Sequence, residues 1–122
     1  MAHIFIIEDD AQFLTMLVKM LQSDGHQVTT ASNGEEALSL LERIKPNLIL
    51  TDILMPKMDG VETIMALSQK GNAIPIIAMS GGRRSISAEF NLESANLLGV
   101  EAVLAKPFSR ADLRAAIELA LR

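Results

Sequence analysis

The sequence has no cysteine, tryptophan or tyrosine, and its aromatic residues are four phenylalanines. The absence of cysteine excludes disulfide bridges, thiolate zinc sites, iron–sulfur clusters and thiol catalysis. With so few aromatic side chains, the protein offers no platform on which nucleic-acid bases could stack. The formal net charge of −4 also disfavours nonspecific binding to DNA or to an anionic membrane. We therefore expect neither nucleic acid nor membrane as a partner.

Long apolar stretches are missing as well. The longest uninterrupted apolar run covers residues 73–79 and contains a proline, whereas a membrane-spanning helix needs about 20 such residues. The first residues, Met1, Ala2 and His3, carry no basic segment of the kind that opens a secretory signal. We therefore expect a cytoplasmic protein. The length of 122 residues is that of one ordinary domain, so we expect residues 1–122 to form a single domain with no effector domain.

Five short apolar segments alternate with segments of helical periodicity. The apolar segments, which are typical of strands, are 3–7, 26–30, 48–50, 74–79 and 102–104, and the helical segments lie around 13–21, 37–44, 61–67, 90–98 and 109–121. This alternation predicts an α/β fold, in which a parallel sheet is covered by helices on both faces. The second segment is the most polar, with Gln27, Thr29 and Thr30, which favours an edge position. We therefore predict a doubly wound, flavodoxin-like (βα)5 fold with strand order 2-1-3-4-5.

Polar residues stand at the carboxyl ends of four predicted strands. Glu8 and Asp9 follow the first strand, Asp52 the third, Ser80 the fourth and Lys106 the fifth. In an open parallel sheet, ligands bind at this edge where the strand order reverses, so we expect these residues to converge. Two carboxylates about 4 Å apart repel each other by roughly 4 kcal/mol at an effective dielectric constant of about 20, so the cluster must take up protons or hold a cation. Because the ligands are all oxygen atoms, Mg²⁺ fits best.

A carboxylate beside Mg²⁺, with a hydroxyl and an ammonium group opposite, can accept a phosphoryl group. Each residue also has a simpler explanation. The acidic run 8–10 is typical of a helix start, Ser80 precedes two glycines as in a turn, and Lys106 precedes a proline of the kind that begins helices. Their common position at the ends of the matching strands favours a functional site over these separate explanations.

Five short motifs contain or adjoin these residues. They are IIEDD at 6–10, LTDILMP at 50–56, MDG at 58–60, AMS at 78–80 and AKPF at 105–108. Together they resemble the receiver domain of bacterial two-component response regulators, of the stand-alone type similar to the chemotaxis response regulator. The resemblance covers almost the whole chain. It implies a phosphoacceptor signalling switch, not an enzyme, that receives its phosphoryl group from a sensor histidine kinase or a histidine phosphotransfer protein.

The resemblance also implies a role for each site residue. Asp52 matches the phosphoacceptor, Ser80 the switch hydroxyl and Lys106 the invariant lysine of the family. Mg²⁺ would be bound by Asp9 directly, by Glu8 through water, by Asp52, and by the backbone carbonyl of Leu54. A downstream protein target would bind the surface formed by the fourth predicted helix, the fifth strand and the fifth helix.

Two features depart from the family pattern, and two alternative functions stay open. Val103 stands where the family often has a tyrosine or phenylalanine, and the stretch from Ser80 to Lys106 is longer than usual. One alternative is a receiver that acts as a scaffold without phosphorylation. The other is a Mg²⁺-dependent aspartyl phosphatase, which needs an Asp-x-Asp motif directly after the first strand, where this chain has Glu8.

Overall fold

The computed structural model describes residues 2–53, 60–81 and 99–122, and these ranges contain five strands and four helices. The strands are β1 (His3–Ile7), β2 (Gln27–Ala31), β3 (Leu48–Asp52), β4 (Ile76–Gly81) and β5 (Ala102–Lys106). The helices are α1 (Ala11–Ser23), α2 (Gly34–Leu41), α3 (Gly60–Gln69) and α4 (Arg110–Ala120). The helix predicted around 90–98 lies outside the described residues. In the part of the chain that is described, no helix combines the length and the apolar character needed to cross a bilayer.

The five strands form one parallel sheet in the order β2-β1-β3-β4-β5, which confirms the predicted topology. β3 lies in the middle of the sheet and is buried at every position. β2 lies at the edge, with Gln27 exposed and the next three residues half-buried. The polar composition of the second segment therefore has the predicted cause, since an edge strand is covered less completely than a central one.

Boundaries differ from the predicted ones in four of the five strands: β2 is shifted by one residue, to Gln27–Ala31, and β4 ends at Gly81 rather than at 79. β3 extends to Asp52 and β5 to Lys106, so the polar residues that were expected to follow these strands are their last paired residues. β4 begins at Ile76 rather than at 74. The reason is the side chain of Asn72, whose Nδ2 donates to the Ile74 carbonyl at 2.9 Å and whose Oδ1 accepts from the Ile74 N–H at 3.2 Å. These bonds accompany a bend in the chain at Ile74, ahead of the strand.

The sheet has an apolar cluster on each face, because successive strand residues point to opposite sides. In β1, Ile4 and Ile6 pack under α1 and α4, whereas Phe5 and Ile7 pack under α2 and α3. The buried members of the α1–α4 cluster are Ile4, Ile6, Leu17, Leu21, Leu48, Leu50, Ile77, Met79, Leu104, Leu113, Ala116, Ile117 and Ala120. Those of the α2–α3 cluster are Phe5, Ile7, Ala31, Ala37, Ile49, Ile64, Leu67 and Ile76.

An ionic cluster joins the end of α1 to the start of α4. Asp24 Oδ1 accepts from Arg110 Nη2 at 3.0 Å and from Arg114 Nη2 at 2.6 Å, and Asp24 Oδ2 accepts from Arg114 Nε at 2.9 Å. The hydrogen bonds from Arg114 hold the pKa of Asp24 well below its ordinary value, with a smaller contribution from Arg110 and some opposition from burial.

Replacing Asp24 with Asn should therefore reduce the stability of the domain slightly, and the reduction should depend on pH. The pKa of Asp24 is lower in the folded chain than in the unfolded chain. Its stabilising contribution is then complete above about pH 4, the ordinary pKa of an aspartate, and is lost as the pH falls further towards the folded pKa. Urea unfolding of the parent and Asp24→Asn proteins between about pH 7 and pH 3 should show two curves that converge at the acidic end.

Glu118→Gln is the matched control, because it also removes one carboxylate charge. Glu118 pairs with Arg122 at 3.8 Å, and both side chains are more than two-thirds exposed, at 74% and 71%. Such a pair contributes almost nothing to stability. A stability gap between the parent and Asp24→Asn that stays constant below pH 4 would contradict the assignment.

Gly60 begins α3 in close contact with the end of β3. Its N–H donates to the Ile53 carbonyl at 2.7 Å. A Cβ atom at this position would lie 1.9 Å from the backbone oxygen of Asp52 and 2.6 Å from the Cα of Ile53. Backbone atoms cannot move aside as the end of a flexible side chain can, so only glycine fits here.

Gly60→Ala should lower the free energy of unfolding by about 1–3 kcal/mol, the usual cost of overpacking, although alanine is otherwise the better helix former. Ser68→Ala, an exposed change on the same helix, should change the stability by less than about 0.5 kcal/mol. Urea denaturation measures both variants. A Gly60→Ala protein as stable as the parent would show that α3 moves away from β3 without cost.

Candidate functional site

The predicted site residues lie at one edge of the sheet. Glu8 directly follows β1, Asp52 ends β3, Ser80 is the residue before the last in β4, and Lys106 ends β5. Because the strands are parallel, their carboxyl ends meet at this edge. The structure therefore brings these residues to adjacent strand ends, although they are far apart in the sequence.

Glu8, Asp52 and Lys106 also share one face of the sheet. The cluster under α1 and α4 contains Leu50 and Leu104. Asp52 is two positions after Leu50, and Lys106 is two positions after Leu104. Both polar side chains therefore start from the same face of the sheet as these leucines. Glu8 continues the alternation of Ile4 and Ile6 in the same way. The side chains of the three polar residues thus start from the α1–α4 side, which is why they can meet.

Lys106 bridges two carboxylates. Its Nζ donates to Glu8 Oε1 at 2.5 Å and to Asp52 Oδ2 at 2.9 Å. The Glu8 side chain is fully buried, and the side chains of Asp52 and Lys106 are 9% and 13% exposed. Buried charges are screened less by salt than surface charges. The ammonium group therefore offsets part of the repulsion between the carboxylates.

The surroundings shift the pKa values of Glu8 and Lys106. Burial raises the pKa of the Glu8 carboxyl to about 7, although the hydrogen bonds from Lys106 and from the backbone N–H of Asp10 act in the opposite direction. Burial alone would lower the pKa of Lys106, but its hydrogen bonds to Glu8 and Asp52 outweigh burial and raise that pKa above the ordinary value. Lys106 is therefore a cation at neutral pH.

Asp9 adds a third carboxylate to the cluster. One carboxylate oxygen from each of Glu8, Asp9 and Asp52 lies within 4.8 Å of the other two. Three such groups beside one lysine leave an excess of negative charge that a divalent cation would balance. Carboxylate oxygens without sulfur or imidazole ligands suit a hard cation such as Mg²⁺. The donor set in the described residues therefore fits this metal.

The acidic residues at 8–10 have two different roles. Asp10 is the N-cap of α1, and its Oδ1 accepts from the N–H groups of Gln12 and Phe13 at 3.0 and 3.1 Å. The backbone N–H of Asp10 also donates to Glu8 Oε2 at 3.0 Å. The simpler explanation, a helix cap, thus holds for Asp10, whereas Glu8 and Asp9 belong to the carboxylate cluster.

The remaining predicted residues differ in how far the structure describes them. Ser80 is buried, with 7% of its surface exposed. Val103 is half-buried on β5, three positions before Lys106. The backbone carbonyl of Leu54 lies outside the described residues, so its part in metal binding stays a prediction.

Two phenylalanines near Lys106 were not predicted from the sequence. The ring centroid of Phe13 lies 4.3 Å from Lys106 Nζ. Phe108 packs edge-on against Phe13, with 5.6 Å between centroids and 87° between ring planes. The available signal was composition, since these are two of the four aromatic residues in the chain. Sequence spacing alone does not show that α1 carries Phe13 over the lysine.

Comparison with known proteins agrees with this arrangement. The family model of the response regulator receiver domain matches residues 4–118. The chain is 34% identical over 119 residues to the alkaline phosphatase synthesis transcriptional regulatory protein PhoP of Bacillus subtilis, a match that covers 98% of this chain and 48% of the relative. It is 34% identical over 122 residues to the transcriptional regulatory protein CpxR of Escherichia coli K12, covering 100% of this chain and 50% of the relative. The chain thus spans about half the length of these curated relatives.

Solved structures show the same fold. The receiver domain of the sensor histidine kinase PA1611 from Pseudomonas aeruginosa PAO1, with a magnesium ion coordinated in its active-site cleft, is 29% identical with a TM-score of 0.86, covering 98% of this chain and 97% of that one. The chemotaxis response regulator CheY4 of Vibrio cholerae is 28% identical with a TM-score of 0.85, covering 99% of both chains. Receiver domains are phosphoacceptor switches of two-component systems and bind Mg²⁺ in an acidic pocket, like the buried carboxylate group found here. With the family match, the parallel sheet and the carboxylate–lysine cluster in agreement, this chain belongs to the response regulator receiver domain family.

Proposed function

We propose that Asp52 accepts a phosphoryl group from a phosphohistidine of a sensor kinase or of a histidine phosphotransfer protein. The observation that carries this proposal is the position of Lys106, whose ammonium group donates to both Glu8 and Asp52 within one cluster of carboxylates. Asp52 is on the central strand of the site, beside both the acidic pair and the lysine. It is therefore the carboxylate that the other groups surround.

In the proposed reaction, a carboxylate oxygen of Asp52 attacks the phosphorus atom of the donor. A P–O bond forms, the P–N bond to the histidine breaks, and the imidazole nitrogen keeps the electron pair of that bond. Lys106 faces Asp52 as a cation and offsets negative charge on the transferred group. A fixed positive group of this kind stabilises phosphoryl transfer without changing its own bonds.

Glu8, Asp9, Asp52 and the backbone carbonyl of Leu54 would hold the Mg²⁺. When bound, the metal would neutralise part of the negative charge on the phosphoryl oxygens. Both oxygens of Glu8 already accept hydrogen bonds, from Lys106 and from the backbone of Asp10, which favours contact through water for this residue. Asp9 is half-buried, at the margin of the cluster, which is consistent with direct binding of an ion that enters from solvent.

Incubation with Mg²⁺ and a small acyl phosphate such as acetyl phosphate should add one phosphoryl group to the protein, and peptide mass spectrometry should place it on Asp52. Asp52→Asn should abolish the labelling, because an amide is not a nucleophile for this step. A chelator should slow the labelling strongly, because Glu8, Asp9 and Asp52 leave excess negative charge facing the incoming group.

Asp24→Asn is the matched control. It makes the same substitution at the C-cap of α1, whereas the site lies at the N-terminal end of that helix. It should be labelled at the parental rate. Labelling that persists in Asp52→Asn would move the site to another residue. Absence of labelling in the parent protein would favour the alternative of a scaffold that acts without phosphorylation.

We further propose that Ser80 transmits the modification. Phosphorylation adds acceptor oxygens at Asp52, and the Ser80 hydroxyl on the neighbouring strand β4 can donate to them. The following residue, Gly81, permits the backbone to change conformation. The expected moving segment, 80–87, continues into residues outside the described ranges.

Ser80→Ala should still be labelled but should show a smaller conformational response, because the donor that follows the phosphoryl group is missing. Amide hydrogen exchange with and without beryllofluoride, which mimics the phosphoryl group, measures this response over residues 80–87. Ser68→Ala, an exposed change on α3, is the control and should respond as the parent does. A parental response in Ser80→Ala would refute the role of the hydroxyl.

The partners and the extent of the domain are part of the same proposal. Receiver domains act with histidine kinases and downstream effectors; for this chain we propose a downstream protein target on the surface of residues 90–98, β5 and α4. Leu119 of α4 is 50% exposed, as expected for a position off the buried stripe of that helix. We also propose that residues 1–122 form one receiver domain. The cytoplasmic location stays a prediction.

A further inference from the structure

We propose that Phe13 is a positioning residue that holds the Lys106 ammonium group against Asp52. This inference rests on the proposed function, in which Asp52 accepts the phosphoryl group. Lys106 Nζ lies 4.3 Å from the centre of the Phe13 ring, well within the distance of about 6 Å at which a cation interacts with an aromatic face.

The Phe13 ring lies beside an ammonium group that two carboxylates already bind. Two of the three N–H groups of the Lys106 ammonium donate to Glu8 and Asp52. The Lys106 side chain is only 13% exposed, so the half-buried ring of Phe13 replaces much of the water that would otherwise surround the cation. The electrostatic attraction to the ring is stronger in such partly desolvated surroundings.

Phe13 is itself held by the site. Its backbone N–H donates to the Asp10 side chain at 3.1 Å, and the backbone N–H of Asp10 donates to Glu8 at 3.0 Å. Glu8 in turn accepts from Lys106. The contacts therefore form a closed circuit, from Lys106 to Glu8, to Asp10, to Phe13 and back to Lys106.

Phe108 also contacts the Phe13 ring. It packs edge-on against Phe13, and both residues lie against the apolar cluster under α1 and α4. Because Phe108 stands two residues after Lys106, the segment that carries the lysine also fixes the ring that covers it. The lysine is thus held by a preformed pocket as well as by its ion pairs.

Phe13→Leu keeps an apolar side chain but removes the aromatic face, whereas Phe13→Tyr keeps both. We expect Asp52 labelling by acetyl phosphate at saturating Mg²⁺ to be about 2- to 30-fold slower in Phe13→Leu and to recover in Phe13→Tyr. Phe5→Leu is the packing control, because Phe5 is buried in the opposite cluster. It should lower stability without changing the labelling rate of the folded protein.

The position of Lys106 can be measured directly by NMR, without phosphorylation. The Lys106 methylene protons next to Nζ should be shifted upfield by the ring current of Phe13 in the parent and in Phe13→Tyr, and should return to ordinary values in Phe13→Leu. This measurement separates the two proposals. If the parent is not labelled at Asp52, the proposed function fails, while the NMR shift still tests the contact between ring and lysine.

A third substitution covers the case in which Phe13→Leu does not fold. Trifluorophenylalanine placed site-specifically at position 13 keeps the ring but withdraws electron density from its face, so the attraction for the cation falls. Slower labelling of this variant supports the role of Phe13. Parental labelling rates in both the leucine and the fluorinated variants, or unshifted Lys106 protons in the parent, would overturn it.

Discussion

The bridge from Lys106 to Glu8 and Asp52 is the interaction on which the site depends, because it makes a cluster of carboxylates tolerable inside a folded domain. The lysine comes from β5 and Asp52 from β3, two strand spacings or roughly 10 Å away. Its side chain must therefore cross β4. Gly81 is paired with Lys106 across β4 and β5, and a glycine at this position leaves room for the lysine side chain. A long flexible stem and a glycine beside it allow the charge to reach its partners.

The fold could be predicted because the composition of each strand reflects how completely the helices cover it. β1 and β3 read as continuous apolar runs since helices cover both faces, and β2 is polar since it lies at the edge. The start of β4 could not be predicted in the same way. Residues 74 and 75 are apolar and fit a strand pattern, but the side chain of Asn72 binds the backbone of Ile74 and delays the strand. A local hydrogen bond therefore outweighs the apolar pattern at that boundary.

The site, like the fold, could be predicted only where it depends on the strand topology and not on local contacts. Glu8, Asp52, Ser80 and Lys106 could be placed together because parallel strands bring their carboxyl ends to one edge, whatever the details of packing. The separate task of Asp10 could not, since an acidic run does not show which residue caps the helix. Phe13 was missed for a related reason. Its contact with Lys106 depends on where α1 begins and on how the helix lies over the sheet, and Asp10 sets the first of these.

The closed circuit of contacts around Lys106 connects the start of α1 to the chemistry at Asp52. The ammonium group has a fixed number of donors, and in this state two of them are committed to Glu8 and Asp52. In the proposed reaction, phosphorylation of Asp52 would add acceptor oxygens that compete for the same donors and would change the balance between Asp52 and Glu8. Because Glu8 also accepts from the backbone N–H of Asp10, which caps α1, such a change would be felt at the start of α1. A modification shifts a conformational equilibrium only by its different interaction with the two states, and the shared lysine is where that difference arises.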